Sequence, residues 1–291
     1  MMSEKIPVLN REEIISQVTH AIATWPLYRV LHYRCHPSQQ ALYLPDTIES
    51  HCQNQDCNGV RFWQLQGKSG LGTTAFSEAV YICKNCNQQR QTYYLLWNRK
   101  VREVSSFQKV GQYPPPEEII PRELGAALTK KSKEDLQYYK NALRCRNFNF
   151  GLGALSYLRR VVENRMNQLL DLIAELAKAH NFEPPQIVEL ETIKTSRTFD
   201  EKITFAAGIL PPSLRPGGHN PVDLLHDIAS DGIHNKSDED CIALFDVSRQ
   251  VFEYLFKELQ VRKAEADSYL TNINVLLEKK SRRKGQTPGN K

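Results

Sequence analysis

Apolar residues near the start of the chain recur at helical spacing. Ile14, Ile15, Val18 and Ile22 form a stripe three to four residues apart, which predicts a short amphipathic helix over residues 10–24. Asn10 is placed to cap it, and Glu13, three residues on, completes a capping box. From about residue 27 to 113 the pattern changes to short aromatic and β-branched runs, such as VRFWQL and TYYLLW, separated by Gly, Asn and Ser. Such runs predict a small sheet region. The loop GKSGLG reads as a turn. It is not a phosphate-binding loop, because Phe62 stands where the leading glycine of that motif belongs.

Tyr113-Pro114-Pro115-Pro116 punctuates the chain, and after it the periodicity is helical. One helix is predicted over 133–147. The strongest runs over 151–180, with Leu155, Leu158, Val162, Met166, Leu169, Ile173 and Leu176 at three- and four-residue steps. Phe182-Glu183-Pro184-Pro185 ends it. A shorter helix is expected over 199–208, then a Pro/Gly-rich loop over 211–218. Asn220-Pro221 starts another as N-cap and first-turn proline. A last long helix starts at Ser237, paired with Asp240, and its stripe is Cys241, Phe245, Ser248, Phe252, Leu255 and Leu259. No internal repeat is visible. These elements divide the chain into an N-terminal helix (1–26), a β domain (27–113), a proline-rich linker (114–122), a helical domain (123–278) and a basic tail (279–291) expected to be disordered.

Composition adds constraints. With 291 residues, 41% hydrophobic and 24% charged, the chain has material for two globular domains. No run of eighteen apolar residues exists, and the first residues lack a signal-peptide core, so a cytoplasmic protein with no membrane partner is expected. Seven cysteines then read as thiols or metal ligands rather than disulfides. The net charge of +5 is uneven. Residues 27–113 hold ten basic and five acidic residues, residues 114–278 twenty and twenty-five, and the tail six basic and none acidic. A basic β domain and tail favour nucleic acid as a partner.

The sharpest motif is Cys52-x4-Cys57, then 25 residues, then Cys83-x2-Cys86. Paired thiols on tight turns present four sulfurs to one tetrahedral ion, so Cys52, Cys57, Cys83 and Cys86 are read as ligands of structural Zn2+ in a zinc ribbon. His51 is the alternative to Cys52. Four protein ligands leave no position for water or substrate, which argues against catalysis there. Zinc would supply the folding energy that a small core lacks. Arg61, Arg90, Arg99, Lys100 and Arg102 lie among Phe62, Trp63, Tyr93, Tyr94 and Trp97, a composition suited to base stacking with phosphate contact. The competing reading makes these aromatics the core, with alternation putting about half of them inside. Cys35-His36 has no visible partner pair, and Cys145 and Cys241 read as core thiols.

Two helical segments stand out, GLGALSYLRRVVENR (151–165) and HDIASDGIHNKSDEDC (226–241). Arg159 and Glu163 lie one turn apart and can pair, and Gly151, Gly153 and Ala154 permit close helix packing. Asp223, Asp227, Asp231 and His234 share one helical face. His234 and Asn235 fall between two helices, where unpaired N–H groups face an anion. The run Leu158-Arg159-Arg160-Val161-Val162-Glu163 followed by Ile233-His234-Asn235-Lys236-Ser237-Asp238-Glu239-Asp240 resembles an uncharacterised bacterial helical family grouped with the HEPN (higher eukaryotes and prokaryotes nucleotide-binding) domains. Members often carry a cysteine-rich ribbon before the helical domain, and KVGQYPPP at the junction fits that arrangement. The resemblance implies an α+β protein, with a small zinc-ribbon β module followed by an all-α HEPN-like bundle. It implies a homodimer through the helical domain and binding of RNA, DNA or a nucleotide in bacterial defence or stress response. Its alternative is a metal-independent ribonuclease using His234, with Arg159 or Arg160, Glu163 and Asn235. HEPN ribonucleases place an arginine shortly before that histidine, and here positions 227–230 read Asp-Ile-Ala-Ser. Arg29 and His36 have the spacing but lie outside the helical domain. A third reading is a scaffold whose acidic helical face docks a basic protein partner.

Overall fold

The computed structural model describes residues 6–35, 43–69, 74–98, 104–129, 133–179, 192, 201–202, 210, 212–231 and 236–285. The chain forms two compact units. One comprises Met1–Leu158 with Asn235–Phe245, the other Arg159–His234 with Asp246–Lys291.

The first unit is organised by a seven-stranded sheet. Its strands are β1 (Val8–Leu9), β2 (Val30–Cys35), β3 (Thr47–Cys52), β4 (Gly59–Ser69), β5 (Thr74–Cys83), β6 (Arg90–Asn98) and β7 (Ser105–Tyr113), in the order β1-β2-β7-β6-β5-β4-β3. β1 pairs with β2 in parallel and the remaining pairs are antiparallel. Register shifts at Leu65/Gly67 and at Tyr94/Leu95 add local twist, and the sheet curls into a half-barrel.

Helix α1 (Arg11–Thr24) packs on the inner face. Its start is set by Asn10, whose Oδ1 accepts from the Glu13 N–H at 3.0 Å while Glu13 Oε2 accepts from the Asn10 N–H at 2.7 Å. Its stripe of Ile14, Val18, Ala21 and Ile22 joins Ile48, Trp63, Tyr81, Tyr93, Leu95, Trp97 and Phe107 in one core cluster that also contains three of the cysteines. Alternation along β6 decides which aromatics enter. Tyr93, Leu95 and Trp97 face in, whereas Tyr94 and Leu96 face out.

This architecture corrects the expected fold class. The N-terminal part is no small zinc ribbon, and what the chain shows is not a ribbon followed by an all-helical bundle. About 115 residues build a curled mixed sheet around α1, and helices follow. A ribbon relies on its ion because it buries too little apolar surface. Here nine-residue strands and a helix bury a continuous core of their own.

The helices of this unit are α2 (Arg122–Thr129), α3 (Lys133–Asn147) and the first turns of α4 (Gly151–Ala179) and α6 (Asp238–Gly285). The sheet and α3 are joined where the Leu27 N–H donates to the Asn147 carbonyl at 2.8 Å. Gly151 lets α4 and α6 approach, since a Cβ there would meet the Asp238 carbonyl and the Cys241 Cβ. Asp238 Oδ1 accepts from the Leu152 N–H at 3.0 Å, capping α4 from the neighbouring helix. Ser237 caps α6, accepting from the Asp240 N–H at 3.2 Å.

The second unit contains the rest of α4 and α6 and helix α5 (Pro221–Asp231), which Asn220 caps through the Val222 N–H at 3.1 Å. Its core includes Val162, Met166 and Leu170 of α4, Val222 and Leu225 of α5, and Phe252, Leu255, Phe256 and Leu259 of α6. The helix expected over 199–208 falls mostly outside the described residues. Among the described residues, no helix is long and apolar enough to cross a membrane.

Candidate metal centre

The four cysteines come from two hairpin ends brought side by side by the sheet. Cys52 closes β3 opposite Gly59 of β4, and the loop between them carries Cys57. Cys83 closes β5, and the turn leading into β6 carries Cys86. Strand order places β3-β4 next to β5-β6, so the two loops meet at one end of the sheet.

Each loop is a hydrogen-bonded knuckle. In the first, the N–H groups of Cys57 and Asn58 donate to the Asn54 carbonyl at 3.1 and 2.8 Å, and the Asp56 N–H donates to Asn54 Oδ1 at 3.0 Å. In the second, the Asn87 N–H donates to the Cys83 carbonyl at 2.9 Å, and the Cys83 N–H donates to the Gln89 carbonyl at 3.1 Å. Asn87 adopts φ 53° and Gly59 φ 143°. These are left-handed values that asparagine and glycine tolerate, and the turns need them. Asn54 Nδ2 donates to Gln88 Oε1 at 2.7 Å and ties one knuckle to the other.

The sulfur geometry fits one ion. All four ligand atoms lie within 4.8 Å of one another. Cys52 Sγ to Cys86 Sγ and Cys57 Sγ to Cys83 Sγ are both 3.7 Å. Four thiolates at about 2.3 Å from a central tetrahedral ion stand about 3.8 Å apart. Cys52, Cys57 and Cys83 are buried and Cys86 is half-buried.

The surroundings pull the thiols apart in acidity. Burial pushes Cys52 well up and raises Cys83. Burial also opposes ionisation of Cys57 and Cys86, but hydrogen bonds overcome it. Cys57 is lowered by the Asn85 amide, its neighbouring cysteines and Arg61. Cys86 is lowered to about 7 by the backbone N–H groups of Gln89 and Gln88 and then by Cys52 and Cys83. The knuckle thus carries donors aimed at sulfur, as a thiolate cluster requires.

Arg61 belongs to this centre. Its guanidinium donates to the Cys57 carbonyl at 2.5 Å and to the Val60 carbonyl at 2.9 Å, bracing the first knuckle. Arg90 is exposed at the start of β6, opposite Ile82. Arg99, Lys100 and Arg102 lie outside the described residues. His51 is half-buried, faces Val60 across the sheet and is no part of the sulfur cluster. Cys35 is half-buried, and its neighbour His36 is outside the described residues.

The residues suggested for catalysis are only partly placed. Arg159 Nε contacts Glu163 Oε1 at 2.7 Å in an i,i+4 ion pair, and Arg160 is exposed. His234 and Asn235 lie outside the described residues. Asp223 and Asp227 are exposed. Burial raises the thiols of Cys145 and Cys241.

Residues the spacing pattern did not flag are Asn85, whose amide donates to Cys57 Sγ at 3.1 Å, and Asn54. The available signal was an asparagine within each Cys-x4-Cys and Cys-x2-Cys loop. Searches of protein-family models, curated proteins and solved structures find no match, so function has to be read from the chain's own residues.

Proposed function

We propose that the centre holds structural zinc and that the outer face of the sheet binds single-stranded nucleic acid, RNA above all. A closed set of four thiolates at tetrahedral spacing suits zinc, with iron the other ion of that geometry. With every coordination position taken by protein, the ion's part is to fix the two knuckles and the ends of four strands.

The observation that carries the nucleic-acid reading is an aromatic pair on the outer face. Phe76 and Tyr94 stack with centroids 5.9 Å apart and planes at 15°, and Phe76 is 59% exposed. Leu96 lies directly across from Phe76, and Arg90, four residues before Tyr94 on β6, is exposed nearer the metal end of the same face. Flat rings offer stacking to unpaired bases of any sequence, and cations beside them meet the backbone phosphates. A continuous duplex keeps its bases out of reach of such a platform.

The test is anisotropy of a labelled single-stranded RNA of about 12 nucleotides at about 50 to 200 mM salt. Affinity should fall with salt, and the double variant Phe76→Ala/Tyr94→Ala should weaken binding about 10- to 100-fold, as loss of one stacked base does. Binding that ignores this double variant, or none at the lowest salt, overturns the reading. Metal content is read by elemental analysis, with one zinc per chain expected.

A further inference from the structure

We infer that the groove between α1 and β3 is a docking site for an extended peptide segment carrying arginine or lysine, which joins the sheet as a further strand. The inference does not use the Phe76–Tyr94 pair on which the nucleic-acid reading rests, because it starts from the sheet's free edge strand.

β3 is the last strand of the sheet. Its hydrogen-bonding parity is fixed by the Leu65 N–H donating to the Asp46 carbonyl at 2.8 Å. Residues 46, 48, 50 and 52 therefore bond to β4, and the N–H and C=O groups of Thr47 and Glu49 point to the open edge. Among the described residues, no strand pairs with that edge. Edge strands with open polar backbone are templates for another strand.

The edge is open to solvent at Thr47 and Glu49. It borders a groove of about 470 Å³ whose other wall is α1, within the range of about 300–1,000 Å³ typical of ligand sites. A helix facing an open strand edge is an arrangement that holds a peptide by its backbone.

The chemistry of the walls selects the side chains. Thr19 and Thr24 line the groove, but their hydroxyls donate to the Ile15 and His20 carbonyls at 2.7 and 2.8 Å. Thr19 is thus left with lone pairs rather than a hydrogen for the groove, while the Thr24 oxygen also lies 3.4 Å from the His20 ring nitrogens. Glu49 adds an exposed carboxylate, and no lysine or arginine is among the lining residues. Glu12 lies one turn before Ser16 on the same face of α1. Phe62, 57% exposed, is the direct cross-strand partner of Glu49. A carboxylate beside an aromatic face is a seat for a guanidinium, which pairs with one and stacks on the other. A second copy of β3 fits less well, since self-pairing centred on Glu49 would oppose like charges.

The experiment uses the metal-loaded full chain, freed of nucleic acid, and a labelled Arg-Val-Arg-Val-Arg peptide, whose length matches a short strand of about five residues. Saturable binding is expected, with the Thr47 and Glu49 amides gaining protection from hydrogen exchange. Two N-methylated versions of the peptide decide the mechanism, one blocking each set of alternate amides. Strand addition requires that one weakens binding at least tenfold and the other leaves it nearly unchanged. Glu49→Gln should weaken binding several-fold, Ser16→Trp should block the groove, and Glu265→Gln on α6 should change nothing. Equal sensitivity to both methylated peptides, or binding without protection at Thr47 and Glu49, overturns the proposal. So does failure of the peptide to bind a variant-free, folded protein.

Discussion

Asn85 and Cys57 belong to different knuckles of the metal centre, and the Asn85 side-chain amide donates to Cys57 Sγ at 3.1 Å. The bond crosses from one hairpin end to the other. It lowers the thiol's proton affinity at the place where a thiolate is needed, so the second knuckle prepares a ligand carried by the first. Asn85→Ala removes that donor without touching a ligand. Metal affinity is expected to fall about 10- to 100-fold, the usual cost of losing an outer-shell partner. Competition with a chromophoric chelator measures it, and unchanged affinity would refute the role.

Removing the metal should destabilise the protein without erasing its sheet. The core cluster of Ile14, Val18, Trp63, Tyr81, Leu95 and Phe107 stands on apolar burial, not on the ion. Metal at about 1,000 times its dissociation constant contributes about 4 kcal/mol. At about 2–4 °C per kcal/mol for a chain of this size class, chelation should lower Tm by roughly 8–16 °C while the far-ultraviolet β signal persists at 20 °C (about room temperature). Complete loss of that signal on chelation would mean that the fold depends on the metal as a ribbon does.

Gly151 is required by close helix packing. A methyl group there would run into the Asp238 carbonyl, with Cys241 Cβ at 2.8 Å and the Ile242 nitrogen at 2.9 Å. Two of those atoms are backbone and the third is a Cβ fixed to it, so none can rotate away. Gly151→Ala should therefore destabilise by about 1–3 kcal/mol despite its higher helix propensity. Asp238→Ala, which leaves the Leu152 N–H without its acceptor, should cost about 1 kcal/mol. Urea unfolding of both variants reads these values, and a stabilised Gly151→Ala would show that α4 and α6 do not approach as described.

Local signals were legible in the sequence, and non-local ones were not. Asn10 with Glu13, Asn220 with Pro221 and Ser237 with Asp240 act as caps because capping is decided within four residues. The four cysteines were legible for the same reason, since each pair sits on its own turn. The alternation in QTYYLLW was visible, but its meaning depends on what covers each face. Only the pairing of β6 with β5 and β7, and the docking of α1, turn Tyr93 and Trp97 into core and Tyr94 into surface. The apolar stripe of α1 gave no hint that its partner was the sheet, so the helix looked like a separate element and the sheet like a small ribbon. Composition likewise could not show that the Arg61 guanidinium donates to the Cys57 and Val60 carbonyls.

Lys109 was equally invisible, and its burial makes stability depend on pH. It sits on β7 in SSFQKVGQY and faces the core, where it is buried. Its Nζ donates to the Ile22 carbonyl at 3.0 Å, near the C-terminal end of α1, and lies 5.9 Å from the Tyr93 ring centroid. Burial, and after it the positive charge of Arg146, lowers its pKa to about 7. An unfolded lysine titrates at about 10.4. Between those values the folded state binds fewer protons than the unfolded state, so this residue makes stability rise with pH across the window of about 7 to 10.4. Below about pH 7 both states are protonated, and the penalty of the buried charge is fully present and constant. Lys109→Met has no charge to bury, so its advantage over the natural protein should be greatest near pH 7 and shrink steadily toward pH 9.5, about the limit of reversible unfolding. A neutral amine still donates to Ile22, so deprotonation relieves the charge without breaking the bond that fixes the side chain. Urea midpoints of both proteins, measured across that range with metal bound, should converge. Parallel lines would mean that water reaches Lys109 and keeps its charge cheap.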